Sequence, residues 1–258
     1  MGNEKLRQII EDIAEIYNKR DKPMTFDDFY EVIVGVYGKE CRALSYKESS
    51  EHKRDLLENG IYTRFFHDSD SFLLYEHNLR AGRHLRFYMN AHDAGSAREI
   101  AKSIRRFMGD RGYQLKLVNK DQYGYSRFDN MVFYLHLNDD IKRAAEFLQS
   151  LPLGYFEEGV PLHTKKIAKG IGYATSVKAY RHVILGEAYN HDRCSFNCLH
   201  SIVLKRTFDT AIEKEIEDTD EITLLYRQAL IDAGFDPENT HLNGGIEDPL
   251  KGLKVVSE

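Results

Sequence analysis

Three segments in the middle of the chain alternate apolar and polar side chains, which is the pattern of a β-strand that buries one face. They are Arg83–Asn90, Tyr113–Asn119 and Met131–Leu137. A shift of the pairing register by one residue would turn the whole apolar set of such a strand toward solvent. The alternation therefore predicts a sheet with one buried face, made by Leu85, Phe87, Met89, Tyr113, Leu115, Leu117, Met131, Phe133, Leu135 and Leu137.

The opposite faces of these segments are unusual in composition. They carry His84, Arg86, Tyr88, Asn90, Gln114, Lys116, Val132, Tyr134 and His136, and none of the three segments contains a carboxylate. A half-solvated antiparallel sheet without any function also alternates in this way, but such surfaces usually include Asp, Glu, Ser and Thr. If the strands are neighbours, we expect a functional face that gathers hydrogen-bond donors and titratable groups.

The segments around these strands predict an α+β fold. Helices are expected over Asn3–Lys19, from Thr25 onward, and over Ser49–Glu58, Ser96–Gly109 and Ile141–Ser150, with a further strand over Ser71–His77. This order gives a mostly antiparallel sheet with a β-α-β-β-α core, flanked by N-terminal and C-terminal helices.

The second half of the chain has weaker patterns. Residues 152–174 are rich in glycine and proline, which predicts a loop-like stretch, and the tail from Thr175 to near Gly234 is predicted to be mostly helical. The last twenty residues are expected to be irregular. We therefore predict a helical region over residues 1–70, an α+β catalytic or binding domain over 71–250 and a tail over 251–258.

The distribution of charge bears on the class of ligand. The net charge of -5 argues against a general nucleic-acid binder, yet no acidic residue occurs between Glu158 and Glu187. That interval contains Lys165, Lys166, Lys169, Lys178 and Arg181. Such a cationic island attracts anions locally. It is either a solvated basic face that pairs with the acidic C-terminal helix, or a site for a phosphorylated ligand.

Other sequence features bear on compartment and chemistry. Three cysteines cannot form a closed disulfide framework, which indicates a reducing compartment. No segment approaches the roughly 20 apolar residues of a membrane helix, and the N-terminus lacks the pattern of a cleaved signal peptide. We therefore expect a cytoplasmic protein that does not bind membranes.

Common cofactor and metal motifs are absent from the sequence. Gly170-Ile171-Gly172 does not continue into a dinucleotide-binding fingerprint, and no Walker A, HExxH or EF-hand sequence occurs. The segment His191–His200 contains His and Cys residues, but without the paired spacing of structural zinc sites. We expect no metal and no organic cofactor.

Several motifs, in order, resemble the HopA-type effector family of plant-pathogen type III secretion, which has relatives in the biosynthetic clusters of class V lanthipeptides and thioamitide-type peptides. The matching pieces are Arg86-Phe87-Tyr88-Met89-Asn90, Leu115-Lys116-Leu117-Val118-Asn119, Arg127-Phe128-Asp129-Asn130-Met131-Val132-Phe133-Tyr134, Val160-Pro161-Leu162-His163-Thr164-Lys165, Gly170-Ile171-Gly172-Tyr173-Ala174, Ser195-Phe196-Asn197, and Gly234-Phe235-Asp236 with Leu242-Asn243. The resemblance covers roughly residues 71–250.

This resemblance implies a reaction, because the family is similar in layout to phosphothreonine lyases and some members act beside a kinase. The implied activity is the elimination of phosphate from phosphoserine or phosphothreonine in a peptide or protein, which leaves dehydroalanine or dehydrobutyrine. The alternative is a non-catalytic type III effector, or a phosphopeptide-binding partner, that uses the same cationic face.

Such an elimination needs a base for the α-proton, cations for the phosphate and donors for the developing negative charge. Lys116 is the candidate base, because nearby arginines and partial burial lower the pKa of a lysine. Tyr88 or His84 is expected to protonate the leaving oxygen, and Asn90 to orient the carbonyl. The expected phosphate ligands are Arg86, Arg127, Lys165 and Lys169. The alternatives are that Lys116 is an exposed strand lysine, that Arg127 is a loop arginine paired with Asp129, and that Tyr88 only packs.

The expected partner is a phosphorylated peptide or protein, with a partner kinase or a secretion chaperone as further candidates. No nucleic-acid or membrane partner is expected. The resemblance adds one alternative to the cytoplasmic location, which is secretion into a host cell.

Overall fold

A computed structural model describes residues 2–58, 60, 62, 67–68, 71–79, 82, 84–176, 181–190 and 195–256. The described chain has the predicted α+β class. It forms two compact units, and each unit is built from two separate stretches of sequence. Residues 34–174 and 248–258 make the sheet unit, and residues 1–33 and 175–247 make the helical unit.

The sheet unit contains the helices α3 (Tyr46–Glu58), α4 (Ala94–Met108) and α5 (Ile141–Gln149). Its strands are β1 (His67–Asp68), β2 (Phe72–His77), β3 (His84–Met89), β4 (Tyr113–Val118), β5 (Met131–His136), β6 (Lys165–Ala168) and β7 (Ile171–Thr175), the last of which ends at the first residue of the helical unit. They form one sheet in the order β1-β2-β4-β5-β3-β7-β6. The segment β3-α4-β4-β5-α5 is the predicted β-α-β-β-α core, with β4, β5 and β3 adjacent and antiparallel.

The apolar face of this sheet is buried as the alternation predicts. Leu85, Phe87, Leu115 and Phe133 are fully buried, in one cluster with the inward residues of α4 and α5. The opposite side chains of the same strands therefore share the other face, which we call the polar face: His84, Arg86, Tyr88, Gln114, Lys116, Val132, Tyr134 and His136.

Local capping explains where two of the helices begin. Helix α3 starts three residues before the predicted Ser49, because Ser45 and Glu48 form a capping box: the Ser45 amide donates to Glu48 and the Glu48 amide donates to the Ser45 hydroxyl. Helix α4 starts at Ala94, because the Asp93 carboxylate accepts from the amide of Ser96 at 2.7 Å.

The helical unit contains α1 (Gly2–Asn18), α2 (Phe26–Ile33), α6 (Phe196–Glu213) and α7 (Thr219–Asp232), with the hairpin of β8 (Arg181–Ile184) and β9 (Glu187–Asn190). Its helices pack through aromatic side chains. The Phe208 ring lies 5.3 Å from the Tyr17 ring and 5.6 Å from the Phe29 ring. No helix in the described residues is long and apolar enough to cross a membrane.

Two predictions about the second half of the chain are wrong. The stretch 152–174 is not a loop throughout, because β6 and β7 form a hairpin whose Ile167, Ile171 and Tyr173 are buried. The tail is not purely helical before α6, because β8 and β9 form a second hairpin. Glycine suggested a loop in the first case, but Gly170 instead makes the tight connection of the β6–β7 hairpin, at a positive φ of 61°.

The two compact units divide the chain after residues 33, 174 and 247, whereas the predicted domain boundaries are at residues 70 and 250. Helices α1 and α2 pack with α7 and α6, while residues 34–58 belong with the sheet. The C-terminal residues also belong with the sheet unit, because the Asp248 carboxylate accepts from Lys165 Nζ and from the Tyr173 hydroxyl, both at 2.7 Å. The Val256 amide donates to the Ile167 carbonyl of β6.

A substitution at Gly170 tests how much the turn of the β6–β7 hairpin, which contacts the end of β3, contributes to stability. Its carbonyl accepts from the Asn90 amide at 2.8 Å, and a Cβ at this position would lie 2.3 Å from the Glu157 carbonyl oxygen. We expect Gly170→Ala to lower the free energy of unfolding by about 2 kcal/mol or more, through the left-handed backbone and this clash together. Urea titration measures the change.

The matched control is Gly38→Ala, at a similar φ of 68° but with no atom within 4 Å of the added Cβ. We expect it to cost only the backbone strain, about 1 kcal/mol. Equal losses for the two variants would contradict the role assigned to the contact with Glu157.

Candidate functional site on the polar sheet face

Lys116 lies at the centre of the polar face, on β4 between β2 and β5. Its side chain is half-buried, and Nζ lies 3.4 Å from the centre of the Phe72 ring on β2. Within the described residues, this amine forms no hydrogen bond and no ion pair. The amino group of Lys116 therefore contacts an aromatic ring and forms no ion pair with a carboxylate in that part of the chain.

The surroundings of Lys116 favour its neutral form. Burial lowers the pKa of Lys116 to about 8, and the positive charges of Arg127 and Arg86 act in the same direction. The carboxylates of Asp129 and Asp121 oppose this decrease only in part. A lysine with this pKa supplies an appreciable fraction of free amine near neutral pH, as a general base requires.

Arg86 lies on the same face, two strands from Lys116. The register places Arg86 opposite Tyr134, and Tyr134 opposite Gln114, so these three residues form the row beside that of Lys116. The guanidinium carbon of Arg86 lies 5.3 Å from the centre of the Tyr134 ring, in a cation–π contact. Arg86 is half-buried, so a part of its side chain remains accessible to a ligand.

Tyr88 and His84 share the polar face with Lys116 and Arg86, but they lie toward opposite ends of β3. Tyr88 is aligned with Lys116 across Val132 of β5 and is 3% exposed. Burial raises the pKa of the Tyr88 phenol, so it stays protonated and can donate a hydrogen bond. His84 lies at the other end of β3, where its ring packs edge-on against His136 at 5.8 Å.

Arg127, expected as a phosphate ligand, has a different environment. It is 1% exposed, and its guanidinium is bound by two carboxylates. Nε and Nη2 donate to the two oxygens of Asp129, at 2.5 and 3.0 Å, and Nη1 donates to Asp121 at 3.0 Å. These two acids already neutralise its charge, so it is placed to act on Lys116 electrostatically rather than to receive a phosphate.

Asn90 is buried beyond the end of β3, and its side chain is used in internal hydrogen bonds. Its amide nitrogen donates to the Glu158 carbonyl at 2.7 Å, and its oxygen accepts from the Asn130 amide at 3.2 Å. The structure therefore places Asn90 where it fixes the loop around Glu158, outside the set formed by Lys116, Arg86, Tyr88 and His84.

Lys165 and Lys169 belong to the β6–β7 hairpin at the edge of the sheet. Lys165 donates to Asp248 at 2.7 Å, and Lys169 lies in the turn before Gly170. Four strand spacings separate β6 from β4, which is on the order of 19 Å across the sheet. The cationic island of the sequence is thus not gathered around Lys116.

Sequence reasoning missed two residues around Lys116. Phe72 was missed because its segment begins with an apolar run that hides the alternation of β2. Asp121 was missed because it lies outside the strands, and Asp129 was considered only as an ion-pair partner of Arg127, which the structure confirms. Of the predicted His191–His200 segment, residues 191–194 lie outside the described residues. No group of three His, Cys, Asp or Glu side chains is placed to hold a metal in the part of the chain that the structure describes.

The Arg127 cluster predicts a large effect on stability. We expect Arg127→Met to lower the free energy of unfolding by about 3–5 kcal/mol, because it leaves Asp121 and Asp129 buried without their cation. Arg86→Met, a matched change on the more exposed polar face, is expected to cost less than about 1 kcal/mol. Chemical denaturation of both variants provides the comparison, and a mild effect of Arg127→Met would contradict the structural role.

The lowered pKa of Lys116 predicts a pH-dependent cost to folding. The folded protein loses this proton near pH 8, whereas the unfolded chain keeps it up to the ordinary value of 10.5. Between these values the unfolded chain binds more protons, so stability rises with pH. We expect Lys116→Met to be more stable than the parent at pH 7, by roughly 1 kcal/mol.

Denaturation of the parent and of Lys116→Met at pH 7 and at pH 10 measures this effect. The advantage of the variant should shrink at the higher pH, where the parent amine is neutral when folded. A stability difference that does not change with pH would show that the charge of Lys116 costs nothing in the folded protein.

Comparison with known proteins agrees with the motifs. The model of the HopA1 effector protein family matches residues 53–242. An effector protein structure from Pseudomonas syringae pv. syringae strain 61 is 18% identical, with a TM-score of 0.48, over 94% of this chain and 97% of that chain. One from Pseudomonas syringae pv. tomato strain DC3000 is 19% identical, with a TM-score of 0.46, over 94% and 96%.

The search of the curated proteins found no match. The family model, however, covers more than half of the chain, including every strand of the polar face. On this ground, the chain belongs to the HopA1 effector protein family.

Proposed function

We propose that this chain is a lyase that eliminates phosphate from phosphoserine or phosphothreonine in a peptide or protein. The observation that carries the proposal is the state of Lys116, a half-buried amine with a pKa lowered to about 8 and no acid partner among the described residues. A lysine whose only task is solubility is exposed and keeps its charge. The half-buried amine of Lys116 therefore supports the role of a base.

The reaction needs no redox partner. The neutral Nζ of Lys116 takes the α-proton of the phosphorylated residue, and the electron pair of that C–H bond forms the Cα–Cβ double bond. The Cβ–O bond breaks, and phosphate leaves with its bridging oxygen. The products are a dehydroalanine or dehydrobutyrine residue, inorganic phosphate and protonated Lys116, which returns its proton to solvent.

Arg86 is the phosphate ligand that the polar face supports best. Its guanidinium can bind two phosphate oxygens at once, and the contact with Tyr134 holds it beside the row of Lys116. In this proposal Arg127 is a positioning residue, since Asp121 and Asp129 occupy its donors and its charge helps to lower the pKa of Lys116.

Two groups of the polar face can donate a proton or a hydrogen bond. Tyr88 is buried and its raised pKa makes it a weak acid, so we assign it to stabilising the negative charge that develops on the substrate. His84, at the solvent-accessible end of the same strand, is then the residue assigned to protonating the leaving phosphate.

The family sets the biological context of the proposal. We propose that the protein works after a kinase has phosphorylated its substrate, either inside a host cell as an effector or on a peptide of the producing bacterium. A secretion chaperone is the further partner proposed for the effector case. No nucleic-acid or membrane partner and no cofactor enters the proposed reaction.

The second candidate function is binding of a phosphopeptide without turnover. It rests on the same face, and in particular on the half-buried side chain of Arg86. The two functions differ in what Lys116 does, because a binding site needs its positive charge whereas a lyase needs its free electron pair.

Mass spectrometry of phosphoserine and phosphothreonine peptides separates the two functions. We expect the parent protein to release phosphate and leave a dehydroamino acid, which an added thiol traps. Lys116→Ala is expected to lower kcat by about 10²–10⁴, the usual contribution of a positioned base. For the parent, kcat/KM should rise with pH through about 8, as Lys116 deprotonates.

Lys116→Arg is the matched control, since it keeps the positive charge and removes the base. A lyase loses activity in this variant, whereas a binding protein retains its affinity for the phosphopeptide. Retention of unchanged phosphopeptides by the parent would favour the binding function. Release of phosphate that leaves an intact hydroxyl would indicate a phosphatase and contradict both proposals.

A further inference from the structure

The polar face also carries a carboxylate that the sequence pattern did not reveal. Glu76 lies on β2, and its register partner is Gln114 of β4. The Gln114 amide nitrogen donates to Glu76 Oε2 at 2.8 Å, which shows that the two side chains lie on the same face. Glu76 is exposed to solvent.

Glu76 and Arg86 lie at opposite ends of a single row across the sheet. The register aligns Glu76 with Gln114, Gln114 with Tyr134, and Tyr134 with Arg86. Three strand spacings separate the two ends, which is about 14 Å. The row therefore has a carboxylate at one end, a guanidinium at the other, and two uncharged polar side chains between them.

The charge of Glu76 is not compensated in the described part of the chain. No lysine, arginine or histidine there forms an ion pair with it, and the bond from Gln114 brings no net charge. Asp121 and Asp129, the other acids near this face, differ from Glu76 because both are buried and bound to the guanidinium of Arg127. Glu76 is thus an exposed negative charge, and its second oxygen accepts no hydrogen bond from the residues that the structure describes.

We infer that Glu76 selects substrates that carry a lysine or arginine three to five residues from the phosphorylated residue. The inference rests on the proposed function, which places the phosphate at Arg86. An extended peptide advances about 3.3–3.6 Å per residue, so four residues span the row. The same carboxylate repels a phosphate, which orients the substrate with its phosphorylated residue toward β3.

Steady-state kinetics on paired phosphopeptides test this inference. In each pair, a single position between six residues before and six residues after the phosphoserine is either lysine or glutamine, in an otherwise uncharged sequence. We expect the ratio of kcat/KM for lysine over glutamine to reach about two- to fivefold at a separation of three to five residues, the size of an exposed ion pair. A flat profile, or a maximum beside the phosphoserine, would overturn the inference.

Two variants show whether Glu76 is the source of the preference. Glu76→Gln should bring the ratio close to one, and Glu76→Lys should favour a glutamate at the same position over a lysine. Glu146→Gln removes the same charge from the exposed side of α5 and should leave the ratio unchanged. A preference that survives in Glu76→Gln would contradict the assignment.

Binding measurements on the same peptides separate this inference from the lyase proposal. Elimination without a positional preference would overturn the role of Glu76 and leave the lyase supported. A positional preference in affinity, lost in Glu76→Gln but without elimination by the parent, would overturn the lyase reaction and support the charge selection. Neither binding nor elimination would overturn both.

Discussion

The antiparallel register of β4, β5 and β3 is the constraint on which the candidate site depends. It aligns Lys116 with Tyr88 across Val132, and it places Arg86 in the adjoining row. Lys116 comes from a different strand than Arg86 and Tyr88, and none of the three residues lies in a loop. The helices α4 and α5, packed on the apolar face, keep the strands in this register, so the precision of the site derives from the core beneath it.

A second constraint is electrostatic. Arg127 and Lys116 are both cations near the polar face, but the groups that contact them differ. Arg127 receives two carboxylates and becomes part of the interior, whereas Lys116 receives only an aromatic ring among the described residues. Their proximity raises the cost of charging Lys116. An acid partner that stabilised the charge of Lys116 would also raise its pKa and so remove the free amine that a base needs. Lys116 is therefore an example of the general conflict between activity and stability.

Much of this arrangement can be predicted from the sequence, because alternation reports directly on which face of a strand is buried. The strands from β2 to β5 and the helices around them follow the prediction closely, and Lys116, Arg86, Tyr88 and His84 share one face of the sheet. For Arg127, the sequence left an ion pair with the nearby Asp129 open, but the second contact, with Asp121, was not predictable, since Asp121 lies in a loop where no periodicity indicates contact. Glycine misled the prediction for the β6–β7 hairpin, because it marks both loops and tight turns between strands. Glu76 was missed for a related reason, since the apolar start of β2 conceals which of its side chains share a face with Lys116.

The interleaving of the two units has a consequence for how the chain acquires its structure. Each unit joins an early stretch of the sequence to a late one, and β7 runs from one unit into the other. Helices α1 and α2 have their packing partners in α6 and α7, near the opposite end of the chain. Closing such long loops is slow, because the loss of chain entropy precedes the contacts that compensate it. A chain that emerges from a ribosome, or passes through a narrow channel, with its N-terminus first must therefore expose the apolar sides of α1 and α2 until α6 and α7 have also emerged.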